Sequence, residues 1–525
     1  MNQNTINTLR KSSCACCALS RRRFLARCAA CAAGATGLAS LAPAAAASQQ
    51  RDKPRIRLVF CHPTPDIITW PNIGYDYDGE KTRVKQALSE QCPQIEFLPV
   101  WIKNDEEAKQ VMQGDAEVDG YFVYFVGCRG GGPEMISLLG GAGRPAVLAD
   151  HLYAGTGNFL GANALARDKG WPIVGVSTSR LEELADAARC FTVLKKPGAT
   201  AADFFTAADA VRRKTIPPAG DLSCAADAVQ VADVRDCLKR LRESKILVVG
   251  RNAKGLITAI DEVFGTPVVP IDFPTLHGMY LKADRDEAAE CADRWIGQAE
   301  KVIEPNRKAI VDSGAMYLAM KELMKQHGAD AIAINCLGGF YGGHLQAYPC
   351  LGFCEFNNGG QVGACEADLM STITMVALGH LAGRPGFISD PVFDTSKRQI
   401  IYAHCVAPWK VFGPEGPSNP FHVRSHSEDR QGAAVRSLMP LGHMTTTLKF
   451  MPQAKLAILH QGKTVANLDI DRACRTKLAV EVQGDIDRLL NGWRHGWHRV
   501  TFYGDLKEPV AELCKALGVE LVEEA

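Results

Sequence analysis

Within residues 363–408, GACEADLMSTITMVALGHLAGRPGFISDPVFDTSKRQIIYAHCVAP, two carboxylic acids and an imidazole, Glu366, Asp390 and His404, fall at the margins of one helix and two short strands. Brought together by element ends, such groups offer oxygen and nitrogen ligands to a divalent cation, and an oxygen-rich set favours Mn²⁺ or Mg²⁺ over thiolate-bound zinc. The helix is read from Leu369, Ile373 and Val376 at helical spacing, with Met375, Leu378 and Leu381 making its other sides apolar and Gly383 and Pro385 supplying a stop. A helix apolar on all sides is buried. Glu366 is expected near its N-terminus, where unpaired N–H groups and the positive end of the dipole favour the ionised carboxylate. Residues 386–389 read as a strand ending at Asp390-Pro391, and residues 399–405 as a strand delivering His404. Each residue also has a plain structural reading: an acid at a helix start, a turn at Asp-Pro, a core histidine on a strand.

The run Cys365-Glu366-Ala367-Asp368-Leu369, its helix, the strand ending at Asp390 and then Ala403-His404-Cys405 resemble the L-fucose and L-arabinose isomerase superfamily. By that resemblance Glu366 and Asp390 match the helix-start glutamate and strand-end acid that hold the catalytic metal. Residues 496–505, GWHRVTFYGD, are similar to the family's C-terminal segment, where a histidine, often one of a His-His pair, completes the metal site. His498 matches the first of that pair and Arg499 replaces the second, so the site either loses a ligand or borrows His495, with His404 as a further candidate. Arg499 reads as a holder of an anionic substrate group or as a solvated arginine. Trp497 and Trp493 read as a sugar-stacking platform or as packing. His426, in the polar loop of residues 424–429, reads as a substrate contact or as part of an ordinary loop.

The resemblance implies a metal-dependent aldose–ketose isomerase that moves a proton between neighbouring carbons of an open-chain monosaccharide through an enediol. Glu366 and Asp390 would be its catalytic pair; Mn²⁺ or Mg²⁺, held by Glu366, Asp390, His498 and His404, its cofactor; and a homo-oligomer its assembly. Two other readings stay open: an exported, non-catalytic sugar-binding protein, and another metal-dependent carbohydrate-active enzyme such as an epimerase or hydrolase.

Those residues need a scaffold, and the rest of the chain supplies it. Residues 1–47 read as a twin-arginine signal peptide: Ser20-Arg21-Arg22-Arg23-Phe24-Leu25, an Ala/Gly/Leu-rich run, and a small-residue stretch before Ser48. The location implied is periplasmic or otherwise extracytoplasmic. No other segment is apolar enough to span a membrane. Of nineteen cysteines, Cys14, Cys16, Cys17, Cys28 and Cys31 fall in this leader, and the others lack a tight disulfide-framework spacing, so they read as buried small hydrophobes. Cys336, Cys350, Cys354 and Cys365 are nevertheless close enough in sequence to pair. A net charge of +1 gives no sign of a nucleic-acid or membrane partner.

The remaining length is that of two to four domains. Short apolar runs alternate with helical stretches over residues 55–176 and again over 177–383, which predicts two Rossmann-like parallel-sheet domains. The Gly127–Gly132 loop, between a strand and a helix, reads equally as an anion or hydroxyl cradle or as a tight turn. The Gly250–Gly255 loop lacks both nucleotide fingerprints and reads as a plain turn. Residues 384–525, with short strands between Gly, Pro, Asn and Asp, predict a mainly antiparallel, barrel-like C-terminal domain. Asp390 then lies at a domain junction, the usual place for a ligand cleft.

Overall fold

The computed structural model describes residues 52–525 apart from Ala116, and the expected twin-arginine leader with its five cysteines lies outside the described residues. The first apolar runs form a parallel sheet. Its strands β1 (Arg55–Cys61), β2 (Glu96–Ile102), β3 (Gly120–Phe125), β4 (Ala146–Asp150) and β5 (Ile173–Ser177) lie in the order β2-β1-β3-β4-β5. Side chains of β1 alternate between two layers: Ile56, Leu58 and Phe60 pack with Val84, Leu88 and Leu184, whereas Val59 and Cys61 pack with Ala108, Ile136 and Phe159. Helices therefore cover both faces, as strands this apolar require. The strand order reverses between β1 and β3, so the loops after these two strands diverge and leave a crevice at their carboxyl ends. At that crevice the glycine loop makes a close backbone approach. A Cβ on Gly130 would strike the His62 backbone and one on Gly131 the Asn104 carbonyl, both at positive φ.

The next strands are β6 (Ile246–Val249), β7 (Val268–Ile271), β8 (Lys301–Val302), β9 (Ala331–Ile334) and β10 (Val362–Ala364). All but β8 form a second parallel sheet in the order β10-β9-β6-β7. Gly250 opens a βα turn with its Cα against the Phe273 ring, in keeping with the plain-turn reading. From β10 the chain passes through one 3₁₀ turn, Cys365–Ala367, into the helix Leu369–Ala382. Asp368 caps that helix by accepting the Met370 and Ser371 N–H groups, at 3.0 and 3.1 Å, and Gly383 at φ 63° ends it.

The third part holds β11 (Phe387–Asp394), β12 (Gln399–His404), β13 (Phe421–Arg424), β14 (Ala434–Ser437), β15 (Met444–Met451), β16 (Leu456–Asn467), β17 (Thr476–Gln483), β18 (Arg499–Tyr503) and β19 (Glu520–Glu523). Six of these run β15-β18-β11-β12-β17-β16, and β15 pairs back onto β16, so they close an antiparallel barrel. The fold is thus the expected one, two parallel-sheet units and a C-terminal β-barrel. β19 joins β16 in parallel, while β8, β13 and β14 make a small separate sheet.

One detail departs from expectation. Asp390 does not end a strand but lies inside β11, opposite Ala403. β18 pairs only with Phe387–Ser389, so beyond Asp390 that flank of β11 carries no ladder and a proline is tolerated there. The hydrophobic core is shared between layers: Phe387, Tyr402 and Leu478 of the barrel pack in one cluster with Ile136 and Phe159 of the first sheet's helices. Among the described residues no helix is long and apolar enough to cross a membrane.

Candidate metal centre

Four elements bring the predicted ligands together. Glu366 comes from the carboxyl end of β10, Asp390 from within β11, His404 from the last position of β12, and His498 from the residue before β18. Ser389 pairs with Arg499, which sets Asp390 beside His498, and successive residues of a strand face opposite ways, so His498 and Arg499 part company. His498 Nε2 lies 3.3 Å from Asp390 Oδ1 and 3.8 Å from Glu366 Oε2. His404 Nε2 lies 3.7 Å from Glu366 Oε1, and the two imidazoles are 5.4 Å apart between centroids. One ligand atom from each of Asp390, His404 and His498 falls within 4.8 Å of the others, and the same holds for Cys365, Glu366 and His404. His404 Nε2 and His498 Nε2 are both buried without a hydrogen-bond partner. Two carboxyl groups beside two unpartnered imidazole nitrogens fit a divalent cation, without naming which one.

Glu366 differs from its expected setting. It stands outside the helix, at φ 58° and ψ 19°, a left-handed conformation rare for a residue with a Cβ. Arg251 Nη1 donates to the Ala367 carbonyl at 3.2 Å and helps hold this turn. The helix N–H groups are taken by Asp368, so burial rather than the dipole sets the acidity of Glu366. Burial pushes it up to about 8, against the pull of His498 and with the help of Asp390. Asp390 is held below its usual range because the imidazolium of His498 overcomes its burial. Burial drives His404 down to about 4, whereas Asp390 and Glu366 overcome burial and raise His498 well above its ordinary value.

Asp368, unassigned by the sequence reading, is the residue that orients His498. Its Oδ2 lies 3.1 Å from His498 Nδ1 and 3.5 Å from Lys449 Nζ, and it accepts the Ser371 hydroxyl at 2.7 Å. The carboxylate fixes the hydrogen of His498 on Nδ1 and leaves Nε2 to the centre, the usual outer arrangement for a ligating histidine. Its signal was the helix cap; its partner lies 130 residues away.

The centre opens into a cavity of about 170 Å³ lined by residues of all three units, among them Trp70, Arg129, Glu366, Asp390, His404 and Trp497. Six sulfurs also reach it, from Cys128, Cys336, Cys350, Cys365, Cys405 and Cys474. The described cysteines are free thiols, and Cys336 Sγ sits 3.1 Å from Cys365 Sγ. The Cys365 thiol beside it draws Cys336 below the ordinary thiol value. The glycine loop contributes side chains, Cys128 and Arg129, while its glycines serve close packing.

The substrate-facing candidates divide. His426 lines the cavity, buried and paired with Asp429 at 3.1 Å, which overcomes burial and raises it to about 9. Trp497 stands at the rim, 45% exposed, with its ring over Gly157. Arg499 is absent from the cavity wall: fully buried, it pairs with Glu524 at 2.7 Å, lies 4.1 Å over the Trp493 ring, and donates to the carbonyls of Arg494 and Gly496. It braces the segment carrying His498 rather than meeting a substrate, and Trp493 is packing. His495 is exposed and belongs to neither ligand group.

No protein-family model matches the chain. It is similar to the sulfoquinovose isomerases of Priestia aryabhattai and Priestia megaterium, each 26% identical over 303 residues, or 55% of this chain. The match spans 66% of those relatives, slightly less than two thirds of their length. The similarity is thus to sugar isomerases; L-fucose and L-arabinose are not named by it.

Proposed function

We propose that this chain is a metal-dependent aldose–ketose isomerase acting on a single monosaccharide, of the type the fucose and arabinose isomerases represent. The observation that carries the reading is that Glu366 and Asp390, from two different structural units, line one small cavity while His498 Nε2 stands behind them, 3.8 Å from Glu366 and 3.3 Å from Asp390. These three residues would hold a divalent cation, Mn²⁺ before Mg²⁺. When bound, the cation would polarise neighbouring oxygens of the open-chain sugar and stabilise the charge that grows on them. Glu366 and Asp390 would share the proton that moves between the two carbons; burial raises Glu366 to about 8 and the charge of His498 holds Asp390 down in the metal-free protein, and a bound cation would draw Glu366 down as well. Trp497 offers a flat apolar rim for the sugar.

The relatives' name points to a sulfonated hexose, and Arg129 suits one. Arg129 is exposed at the cavity wall and makes no hydrogen bond or ion pair among the described residues. A sulfonate would find there a permanent cation with forked donors.

Ketose formation by residues 48–525 tests the reading on a panel that includes sulfoquinovose, glucose, L-fucose and L-arabinose, with Mn²⁺ or with chelator. Turnover of the sulfonated sugar that needs metal and falls by about 10³-fold in Glu366→Gln is expected. Tight metal binding without turnover of any sugar would refute it. The leader is proposed to direct export and the folded chain to self-associate; an Arg21→Lys, Arg22→Lys variant still found in the periplasm would argue against the first, and a monomer by sedimentation against the second.

A further inference from the structure

The two imidazoles of the centre are not equivalent, and their backbone and carboxylate partners show how. An amide N–H can only donate. The Cys405 N–H lies 2.9 Å from His404 Nδ1, so Nδ1 presents its lone pair to it. An imidazole whose Nδ1 accepts carries its hydrogen on Nε2. That Nε2 is buried, unpartnered and directed at the cavity, 3.7 Å from Glu366 Oε1. His498 is the reverse case. Its Nδ1 faces the Asp368 carboxylate at 3.1 Å, so a hydrogen stands on Nδ1, and its Nε2 is turned to Asp390 and Glu366, where a bound cation would take the place of the Nε2 proton.

We infer that His404 is not a ligand of the cation but a fixed N–H donor to a substrate oxygen, standing beside a three-residue ligand set of Glu366, Asp390 and His498. The inference rests on the cation reading above and refines it. For His404 to ligate through Nε2, its hydrogen would have to move to Nδ1, and two N–H groups would then face each other at 2.9 Å inside the protein. The imidazolium meets the same obstacle. A buried donor left without an acceptor costs about 1–3 kcal/mol. Nor does the ring have freedom to turn away. His404 pairs with Thr476 at the last rung of the β12–β17 ladder, and its side chain is 3% exposed. In this state Nε2–H offers one aligned hydrogen bond to an oxygen entering the cavity, and the bond strengthens as that oxygen gains negative charge.

Two measurements decide the matter. The first is Mn²⁺ binding, by electron paramagnetic resonance of free Mn²⁺, to the wild type and to His404→Gln, His404→Leu and His498→Gln. One Mn²⁺ per chain is expected in the wild type and in both His404 variants, with Kd within about threefold. His498→Gln should weaken binding by about a hundredfold or more. His404→Gln, which keeps an N–H donor, should retain at least tenfold more kcat than His404→Leu. Loss of Mn²⁺ binding in His404→Gln to the extent seen in His498→Gln would overturn the inference. The second measurement is the ¹⁵N spectrum of histidine-labelled wild type, which tells Nε2–H from Nδ1–H without any substitution. His404 should appear as Nε2–H with and without Mn²⁺, and an Nδ1–H tautomer in the presence of metal would overturn the inference. If the wild type binds no Mn²⁺, the cation reading fails, while the tautomer still confirms or refutes the donor assigned to His404.

Discussion

Asp368 shows how much one side chain outside the ligand set can carry. It caps the helix Leu369–Ala382, neutralises the buried Lys449, and holds His498 by Nδ1. Asp368→Asn keeps the cap, since asparagine caps helices as well as aspartate does. It removes the charge that Lys449 and His498 face. Metal affinity is therefore expected to fall about tenfold to a hundredfold, read by calorimetric titration, with a destabilisation of about 1–3 kcal/mol from the stranded lysine. Unchanged affinity would mean that His498 holds its orientation without Asp368. Arg499 makes the contrasting case. Removing its partner in Glu524→Gln strands a buried guanidinium, and breaking such a pair costs about 3–5 kcal/mol. A large drop in melting temperature with KM preserved is expected; a raised KM at unchanged stability would restore Arg499 to the substrate.

Elements decide where such residues end up, and elements were the more legible part of the sequence. The apolar runs of β1, β3 and β4 and the all-round apolar helix after Asp368 announce buried strands and a buried helix because their periodicity is local. Pro391 misled, since a proline after an aspartate reads as a terminator, whereas the unpaired flank of β11 admits it. Glu366, Asp390 and His404 were legible as candidate ligands from their residue types and places at element margins, whereas His498 was legible only through family likeness. The roles of Asp368 and Arg499 depended on partners 130 and 25 residues away, which no local pattern reveals. Element ends also carry a pH-dependent joint. Asp150, last residue of β4, accepts the hydroxyls of Thr156, at the start of the next helix, and Ser177, at the end of β5, while its other oxygen is buried without a partner. Burial raises it to about 7. A carboxyl group raised in the folded state binds its proton more tightly there than in the unfolded chain, so its contribution to stability is complete below about pH 4 and is lost as pH rises to about 7. Asp150→Asn keeps an acceptor for both hydroxyls and has no charge to bury. Its melting temperature relative to wild type should climb between pH 5 and pH 8, by on the order of 2–4 kcal/mol in stability at the upper end. A constant difference across that range would remove Asp150 as the titrating group.

At the scale of the molecule, the candidate centre draws on two structural units, Glu366 from the end of the second parallel sheet and the other candidate ligands from the barrel. A cation held there ties them together, so loading should stabilise the whole fold and not one layer. Mn²⁺ at a hundredfold over its Kd is expected to add about 2.7 kcal/mol, seen as a single transition moving up in calorimetry and moving back with chelator. Two separate transitions with only one of them moving would show that the units unfold independently. The sulfur-lined wall of the same cavity has a consequence of another kind, for toxicology rather than turnover. Oxygen and nitrogen donors would give a hard ion its seat, but Cys336 and Cys365, with sulfurs 3.1 Å apart beside Glu366, form a ready trap for thiophilic poisons. Arsenite or cadmium at stoichiometric amounts should silence the protein and be reversed by a small dithiol, not by excess manganese, and Cys336→Ser should confer tolerance. The chain would then be an early casualty wherever its host meets such metals.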